Sequence, residues 1–525
     1  MKKILSIMGA VLLMLTVASC REQSDTLVAY DQNENLVFGD AQTSFAAKFQ
    51  VLWHGMNQYY ALWDYENEQG VNWDAVYDEY YPQFQALDKK TTVTDDEVTA
   101  LLKKVFDPLH DGHIYFTMTN HTTGSMVVCQ PGFDKVALRP DYAQSECKPD
   151  LQYYANVANG EIETDGSGNP IVMEYSNNPQ DLLNEFTQTP GQGNMWIKAK
   201  IQELQDKSSR TEMEDFQLQQ LNNLRAAILQ AAGSIPMPAL LNALNSLQVQ
   251  YSFLNIPGFN YIDPGFLDSS GISIKYALLK GNIAYLYLSG FYLTSYLDDK
   301  ACQSIFDMNN SDTKQRVQAF KQVWQAWFDS VQQLHKNGTL GGVIIDIRGN
   351  GGGNMNDSKY VVGALVPAGN IHFGYQRFKR GPARYDYSTL MPAYVDAMSD
   401  PHETITEPVV ILANCMSVSM SETSTLCLKT LPNGTFIGKR TFGAICPLTG
   451  NDAHSFNYSG HIGVKDVTPV FGNVPTLASY MLDNKLIESK GINPDIEVDL
   501  DITQFQATGK DTQLDRALQF IRTGN

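Results

Sequence analysis

The sequence predicts a mixed α/β protein, and two patterns support this fold class. From about residue 273 onward, short apolar segments alternate with longer amphipathic ones, as in strands connected by helices. The apolar segments, such as GGVIIDI and VVILAN, contain almost no polar residues, which is typical of parallel strands buried on both faces. Upstream, residues 43–105 carry apolar side chains at helical spacing and predict a helical region.

The individual elements can be predicted in chain order. TDDEVTALLKKVF begins with a capping box and predicts a helix, and HIYFTM begins a strand-like pattern. DGSGNP between GEIET and PIVMEYS predicts a hairpin turn, and residues 178–250 are polar with helical amphipathic runs. In the C-terminal half we predict strands at ISIKYALL, IAYLYLS, GGVIIDI, VVILAN and TFIGKR, and helices at VQAFKQVWQAWFDSVQQLH and SETSTLCLKTL.

Composition limits the possible functions. The 525 residues are 43% hydrophobic, which excludes a wholly disordered chain, and the only long apolar run is at the N-terminus, which excludes a multi-spanning membrane protein. The formal net charge of −19 repels phosphate backbones, so we expect no nucleic-acid partner.

The N-terminus predicts export and lipid anchoring. Two lysines precede the apolar stretch ILSIMGAVLLMLTVAS, which has the charged start and short core of a secretory signal. VASC at its end is similar to the lipobox of bacterial lipoproteins, which implies lipidation of Cys20. The alternative is a plain signal peptide cleaved nearby. Six further cysteines could form disulfides outside the cytoplasm, although we expect Cys415 and Cys427 to be buried free thiols.

Glycines cluster after a buried strand in GGVIIDIRGNGGGN, residues 341–354. Such a loop lets backbone N–H groups approach an anion, although a simple wide turn fits the pattern equally well. A phosphate-binding loop would need Lys-Ser/Thr after the glycines, whereas Asn354 and Met355 follow here. A dinucleotide-binding loop also matches poorly.

Three serines crowd a second strand-to-turn-to-helix segment, VVILANCMSVSMSETSTLCL, residues 409–428. Ser419 and Glu422 match a capping box, and on the pattern alone this structural role is favoured. The functional hypothesis is a serine nucleophile at a sharp junction, with its oxyanion near a helix N-terminus. No G-x-S-x-G elbow occurs, which disfavours an α/β-hydrolase.

Histidines and one late acid complete the candidate residues. His110, His113 and His121 lie close together in sequence and suggest either a general base or, as an alternative, a metal site. Glu488 precedes the turn of NKLIESKGINPDIEV and, taken alone, is typical of a solvated loop acid.

Together, these segments resemble the serine peptidase family of C-terminal processing proteases and the tricorn core protease. The glycine loop resembles its D-x-R-x-N-x-G-G segment, and the serine turn resembles S-A-S-A-S-E, with Ser419 at the nucleophile's place. GKRTFGA and residues 484–498 are similar to the segments that follow, and VNWDAVYDEYYP is similar to tricorn-type members. The resemblance covers about 41–120 and 273–500, and it implies a crotonase/ClpP-like α/β core.

The sequence departs from the family's pattern at one position, and this difference indicates which branch of the family it resembles. The processing proteases use a Ser-Lys dyad whose lysine place is Ala444 here, and the nearby Lys439 is expected at the surface. The tricorn-like branch uses a histidine from an early D/S-x-H segment and a late glutamate. The resemblance therefore implies Ser419 as nucleophile, His113 as general base and Glu488 as its orienting partner. It also implies an oxyanion hole from the N–H groups of Gly351 or Gly352 and of Met420.

These expectations define a membrane-tethered, extracytoplasmic serine endopeptidase with no metal or other cofactor, acting on peptides or proteins. One alternative is an inactive relative that binds peptides or small ligands in the same cleft, and another is a metallohydrolase on the three histidines. The predicted organisation is a signal peptide (1–19), a lipid-anchored tether (20–40), a helical region with the base histidine (41–125), an insertion or cap (126–270), the peptidase core (271–510) and a tail helix (511–525).

Overall fold

The computed structural model describes residues 40–156, 160–177, 192–210, 272–306, 308–309, 311–366, 371–381, 383–395, 398, 401–448, 460–463 and 468–525, and short helical stretches between 214 and 226. Cys20 and most of residues 178–250 lie outside the described residues. The helices are α1 Phe45–Tyr59, α2 Trp63–Glu68, α3 Trp73–Leu87, α4 Asp95–Phe106, α5 Pro131–Ala137, α6 Leu151–Asn156, α7 Gln192–Gln205, α8 Leu293–Leu297, α9 Asp299–Ile305, α10 Ser311–Lys336, α11 Ser358–Val361, α12 Met420–Thr430, α13 Ile502–Thr508 and α14 Thr512–Thr523.

The strands form three sheets. They are β1 Tyr115–Thr119, β2 Met126–Cys129, β3 Val172–Asn177, β4 Ile272–Leu279, β5 Ile283–Leu288, β6 Gly342–Asp346, β7 Ile371–Phe378, β8 Met391–Val395, β9 Val409–Ala413, β10 Gly434–Gly438, β11 His461–Gly463, β12 Val470–Asn473, β13 Leu477–Met481 and β14 Ile496–Glu497. The largest sheet has the order β14-β10-β9-β6-β5-β4-β3, and the smaller sheets have the orders β11-β12-β1-β2 and β13-β7-β8.

The N-terminal helices form because their ends are capped and one face of each is apolar. The side chains of Ser44 and Asn72 accept N–H groups at the starts of α1 and α3. The predicted capping box is present at α4, where Thr94 and Glu97 bond reciprocally. Trp63 and Trp73 are buried between these helices, so the predicted helical region is a packed layer.

The seven-stranded sheet carries the fold, and it is mostly parallel as predicted. Strands β5, β6, β9, β10 and β14 pair in parallel, whereas β3 and β4 add an antiparallel edge. Alternate residues of each strand enter two different cores. On β6, for example, Val343 and Ile345 belong to the same apolar core as the buried face of α10, while Ile344 belongs to the core that contains Leu514 of α14.

This arrangement confirms the α/β class and the helical N-terminal region, and it positions the site. The glycine loop and the serine turn follow β6 and β9, which are neighbours in the sheet. Parallel strands end at the same edge, so both segments meet there. The turn before β1 brings Gly112, the neighbour of His113, against Gly443 and Ala444, which follow β10. In the described part of the chain, no helix is both long and apolar enough to span a bilayer.

Candidate active site

Ser419 occupies a strained turn between β9 and α12. Its backbone has φ 56° and ψ −114°, a region that a residue with a side chain rarely adopts and that costs about 1–3 kcal/mol. Two backbone bonds hold the turn, one from the Ser419 N–H to the Ala444 carbonyl oxygen (3.0 Å) and one from the Val418 N–H to the Asn350 carbonyl oxygen (3.0 Å). The sharp junction predicted for a nucleophile is therefore present.

The three serines of this turn have different surroundings. The buried hydroxyl of Ser417 donates to the Ile347 carbonyl oxygen (2.8 Å), and that of Ser421 donates to the Asn350 carbonyl oxygen (2.8 Å). Ser419 is only partly buried, and its hydroxyl makes no hydrogen bond to another described residue. Of the three, only Ser419 has a hydroxyl available to a substrate.

The favoured capping-box interpretation is wrong, because the Ser419 side chain makes no cap bond to α12. Glu422, its expected partner, is fully buried and interacts with the Ser419 backbone, but most of its bonds go to another segment. Its carboxylate accepts the Thr441 hydroxyl (2.6 Å) and the N–H groups of Gly443 (2.8 Å) and Ala444 (2.6 Å). Burial raises the pKa of this carboxyl above its usual value, although the hydrogen bonds that it accepts lower the pKa in part.

The glycine loop lies directly against the serine turn. A Cβ atom built on Gly352, whose φ is +94°, would be 2.7 Å from Ser419 Cβ and 3.0 Å from the Met420 nitrogen, so only glycine fits there. The Gly352 N–H already donates to Asn350 Oδ1 (2.9 Å). The N–H groups of Gly351 and Met420 have no hydrogen-bond acceptor among the described residues, and Gly351 is exposed. Met420, which follows Ser419 in the chain, and Gly351, which precedes the closely packed Gly352, therefore present free donors.

The base of the glycine loop is fixed by a buried charge cluster. The Arg348 guanidinium donates to both oxygens of Asp346 (2.9 and 2.6 Å) and to both oxygens of Asp511 (2.9 and 2.6 Å). Tyr285 adds its hydroxyl to Asp346 (2.8 Å), and Gln513 accepts a further bond from Arg348 (3.0 Å). Arg348 of the D-x-R pattern therefore holds α14 under the loop.

His113 lies in the turn before β1. Asp111 fixes this turn by accepting the N–H groups of His113 (2.7 Å) and Ile114 (3.1 Å). Burial lowers the pKa of His113 to about 4, opposed in part by the backbone of Cys446. Its buried Nδ1 atom has no hydrogen-bond partner within the described residues. The imidazole is therefore neutral at physiological pH, as a general base must be.

Glu488 is buried, unlike the solvated acid that its local sequence suggests. Its carboxylate accepts the N–H groups of Gly112 (3.0 Å), Ile445 (3.0 Å) and Cys446 (2.8 Å). Burial, and then the nearby charge of Asp111, raise the pKa of Glu488 well above its usual value. No bond joins its carboxylate to the His113 ring in the described structure, so Glu488 contacts the histidine turn through the Gly112 backbone.

Residues 443–446, which we call the linking segment, join these parts. The Ala444 carbonyl accepts the Ser419 N–H, while the Gly443 carbonyl accepts the Ser489 N–H (2.9 Å). A Cβ atom built on Gly112 would be 2.7 Å from Ala444 Cβ, so the histidine turn packs directly on this segment. The linking segment therefore touches both the serine turn and the histidine turn.

Residues 315–498 match the family model of peptidase family S41. The matched range contains the glycine loop, Ser419 and Glu488, whereas His113 lies upstream of it. The match covers about a third of the chain, and within that range the sequence is similar to the family. This match supports a serine-type peptidase, as the sequence predicted.

Solved structures that are similar to this chain have low sequence identity to it. Mature CPAF in complex with lactacystin is 12% identical, with a TM-score of 0.45 over 92% of this chain and 100% of that chain. The photosystem II D1 C-terminal processing protease is 22% identical, with a TM-score of 0.26 over 41% of this chain and 42% of that one. The tricorn protease is 20% identical, with a TM-score of 0.28 over 46% and 18%.

The other two candidate histidines, His110 and His121, have other partners. Glu66 accepts the backbone N–H of His110 (2.7 Å) and lies 2.9 Å from its Nδ1 atom, and His121 Nδ1 lies 3.0 Å from Lys48 Nζ. Among the described residues, no group of three or more His, Cys, Asp or Glu side chains is placed to hold a metal ion.

Lys439 also lies outside the arrangement around Ser419. Its ammonium pairs with Glu497 (2.6 Å) and Asp499 (3.0 Å), two largely exposed carboxylates. Although partial burial lowers it, these bonds hold the pKa of Lys439 above its usual value. A protonated, paired lysine cannot take a proton from a serine hydroxyl.

Sequence patterns missed the partners that fix the site. The S-x-x-E spacing predicted that Glu422 caps a helix, and it gave no indication that Glu422 accepts N–H groups of the linking segment. Asp511 carried no signal, because its partner Arg348 is 163 residues away in the chain.

Proposed function

We propose that this protein is an endopeptidase that hydrolyses peptide bonds of extracytoplasmic peptides or proteins through Ser419. The proposal depends on one observation: the Ser419 hydroxyl makes no hydrogen bond to another described residue. The hydroxyls of Ser417 and Ser421, in contrast, are buried and donate to backbone carbonyls. A serine on a strained strand-to-helix turn is held with its hydroxyl outward, as a nucleophile requires.

In the proposed reaction, Ser419 Oγ attacks the carbonyl carbon of the scissile peptide, and His113 takes the hydroxyl proton. The oxyanion receives N–H bonds from Met420, at the start of α12, and from Gly351. Gly352 is the weaker candidate because its N–H already donates to Asn350. His113 then delivers its proton to the leaving amine, and a water molecule hydrolyses the acyl-enzyme by the same route.

Glu488 supports the base through the backbone in this scheme. Its bonds to Gly112 on one side and to Ile445 and Cys446 on the other fix the turn that carries the imidazole. This role replaces the direct carboxylate-to-imidazole bond that the resemblance implied.

A fluorophosphonate probe tests the nucleophile. The wild-type protein should be labelled at Ser419 and should cleave a denatured protein substrate, and Ser419→Ala should lose both properties. Ser424→Ala is the matched control, because Ser424 lies on the same helix and its buried hydroxyl has no hydrogen-bond partner in the described structure. Absence of labelling in the folded wild type would instead support an inactive, ligand-binding relative.

We also propose that the protein is lipid-anchored at Cys20 and acts outside the cytoplasm, on the strength of the signal-like N-terminus and the VASC sequence. Cells expressing the wild type should retain the protein with their membranes, whereas Cys20→Ser should release it or leave it unprocessed. A mature wild-type protein whose N-terminus begins beyond residue 20 without a lipid would refute the anchor.

A further inference from the structure

The N–H groups of the linking segment all point at carboxylates. Gly443 and Ala444 donate to Glu422, and Ile445 and Cys446 donate to Glu488. Both acids are fully buried. Four successive peptide groups are therefore oriented by two side chains, one on the helix that follows Ser419 and one next to the histidine turn.

Glu422 controls the end of this segment that contacts the nucleophile. One of its oxygens accepts Gly443 N–H and the Thr441 hydroxyl, and the other accepts Ala444 N–H at 2.6 Å. The carbonyl of the same Ala444 accepts the Ser419 N–H, which fixes a backbone conformation that serine otherwise avoids. A change at Glu422 therefore reaches Ser419 through one residue.

We propose that Glu422 is a positioning residue of this peptidase: by holding Gly443 and Ala444 it sets the place of Ser419 relative to His113. The inference rests on the proposed function. Glu422 touches neither the substrate nor the reacting atoms in this scheme, and it acts through the linking segment and through the backbone N–H of Ser419.

The chemistry of the acceptor distinguishes a carboxylate from an amide. Every partner of Glu422 is a donor, and glutamine offers one acceptor oxygen and one NH₂ group that repels a donor. In Glu422→Gln the oxygen can keep Thr441 and Gly443, which leaves NH₂ facing the Ala444 N–H. The bond nearest to Ser419 is then lost, while the side-chain volume is unchanged.

The N-terminal region offers a matched control. Asp88 also accepts one hydroxyl and two successive N–H groups, from Ser44 (2.8 Å), Phe45 (2.6 Å) and Ala46 (3.1 Å). These bonds lie at the start of α1, outside the linking segment. Asp88→Asn therefore removes a similar set of bonds without changing the surroundings of Ser419.

The experiment measures kcat, KM, thermal unfolding and amide exchange of residues 443–446 in the wild type and both variants. We expect Glu422→Gln to lower kcat about 100-fold, because small misplacements of reacting groups cost about that much, with KM within about 3-fold. Amide exchange in the linking segment should rise. Asp88→Asn should keep kcat and KM within about 2-fold, even if its melting temperature falls as much as that of Glu422→Gln.

Each outcome decides the matter. A folded Glu422→Gln protein with wild-type kcat, or an equal loss of kcat in Asp88→Asn at equal melting temperature, overturns the inference but leaves the proposed function intact. If Glu422→Gln does not fold, Glu422→Asp is measured instead, with the same expectation. Failure of both to fold would show a purely structural role and refute positioning. An unlabelled, inactive wild type would refute the proposed function and this inference together.

Discussion

The N–H of Ser419 donates to the carbonyl oxygen of Ala444 at 3.0 Å, so the candidate nucleophile is bonded to the residue at the place where a Ser-Lys dyad would have its lysine. That place is therefore structural in this chain. In the proposed reaction the base comes from another segment, the histidine turn, which packs against the same residue.

The pH dependence of kcat/KM tests His113. The sequence alone predicts activity that rises through pH 6 to 7, as for an ordinary histidine. Burial instead lowers the pKa of His113 to about 4, and the base is active only when neutral. We therefore expect activity to rise as the pH increases through about 4 and to level off near pH 6. A midpoint between 6 and 7 in a protein that stays folded would contradict the buried histidine.

Substitutions at the two candidate bases should differ sharply. His113→Ala should lower turnover by several powers of ten, because nucleophile and base act as a unit. Lys439→Met should change turnover less than about 2-fold, since Lys439 pairs with Glu497 and Asp499. Steady-state kinetics on both variants checks this, and a dead Lys439→Met beside an active His113→Ala would reverse the assignment.

Ser419→Gly should separate activity from stability. Glycine removes the hydroxyl and also relieves the positive φ of this residue. We expect no turnover and a free energy of unfolding higher by about 1 kcal/mol. Ser419→Ala should also be inactive but without that gain, and without the loss of about 1 kcal/mol expected of a missing helix cap. Denaturant unfolding of both variants measures the difference. Equal stabilities would show that the turn is unstrained.

Gly112→Ala should impair catalysis through its position. A Cβ atom there would be 2.7 Å from Ala444 Cβ, so the histidine turn or the linking segment must move. We expect kcat to fall at least about 10-fold. Gly166→Ala is the control, because a Cβ atom at Gly166 has no atom within 4 Å. Unchanged kcat in a folded Gly112→Ala protein would show that the spacing tolerates the shift.

Arg348→Met should destabilise the protein strongly. The change leaves Asp346 and Asp511 buried without their cation, which typically costs about 3–5 kcal/mol. Lys485→Met, which breaks an exposed pair with Asp483, should cost less than about 1 kcal/mol. Urea unfolding of the two variants provides the comparison, and similar small losses would show that the buried cluster contributes little.

Local patterns in the sequence predicted the elements well because each depends on nearby residues. The apolar run of β6, the capping box at α4 and the position of the serine turn all follow from spacing within a few residues. Glu422 and Glu488 were misjudged because their partners lie elsewhere in the chain. Their own neighbours suggest a cap and a solvated loop, whereas tertiary packing buries both against the linking segment.

The cluster under the glycine loop also sets an order of events during synthesis. Arg348 is made well before Asp511, which follows every other residue of the site in the chain. Until Asp511 leaves the ribosome, Arg348 lacks one of its two carboxylates and α14 cannot cover that face of the sheet. The nascent chain therefore cannot complete the cluster that fixes the glycine loop until Asp511 has been made and α14 has docked.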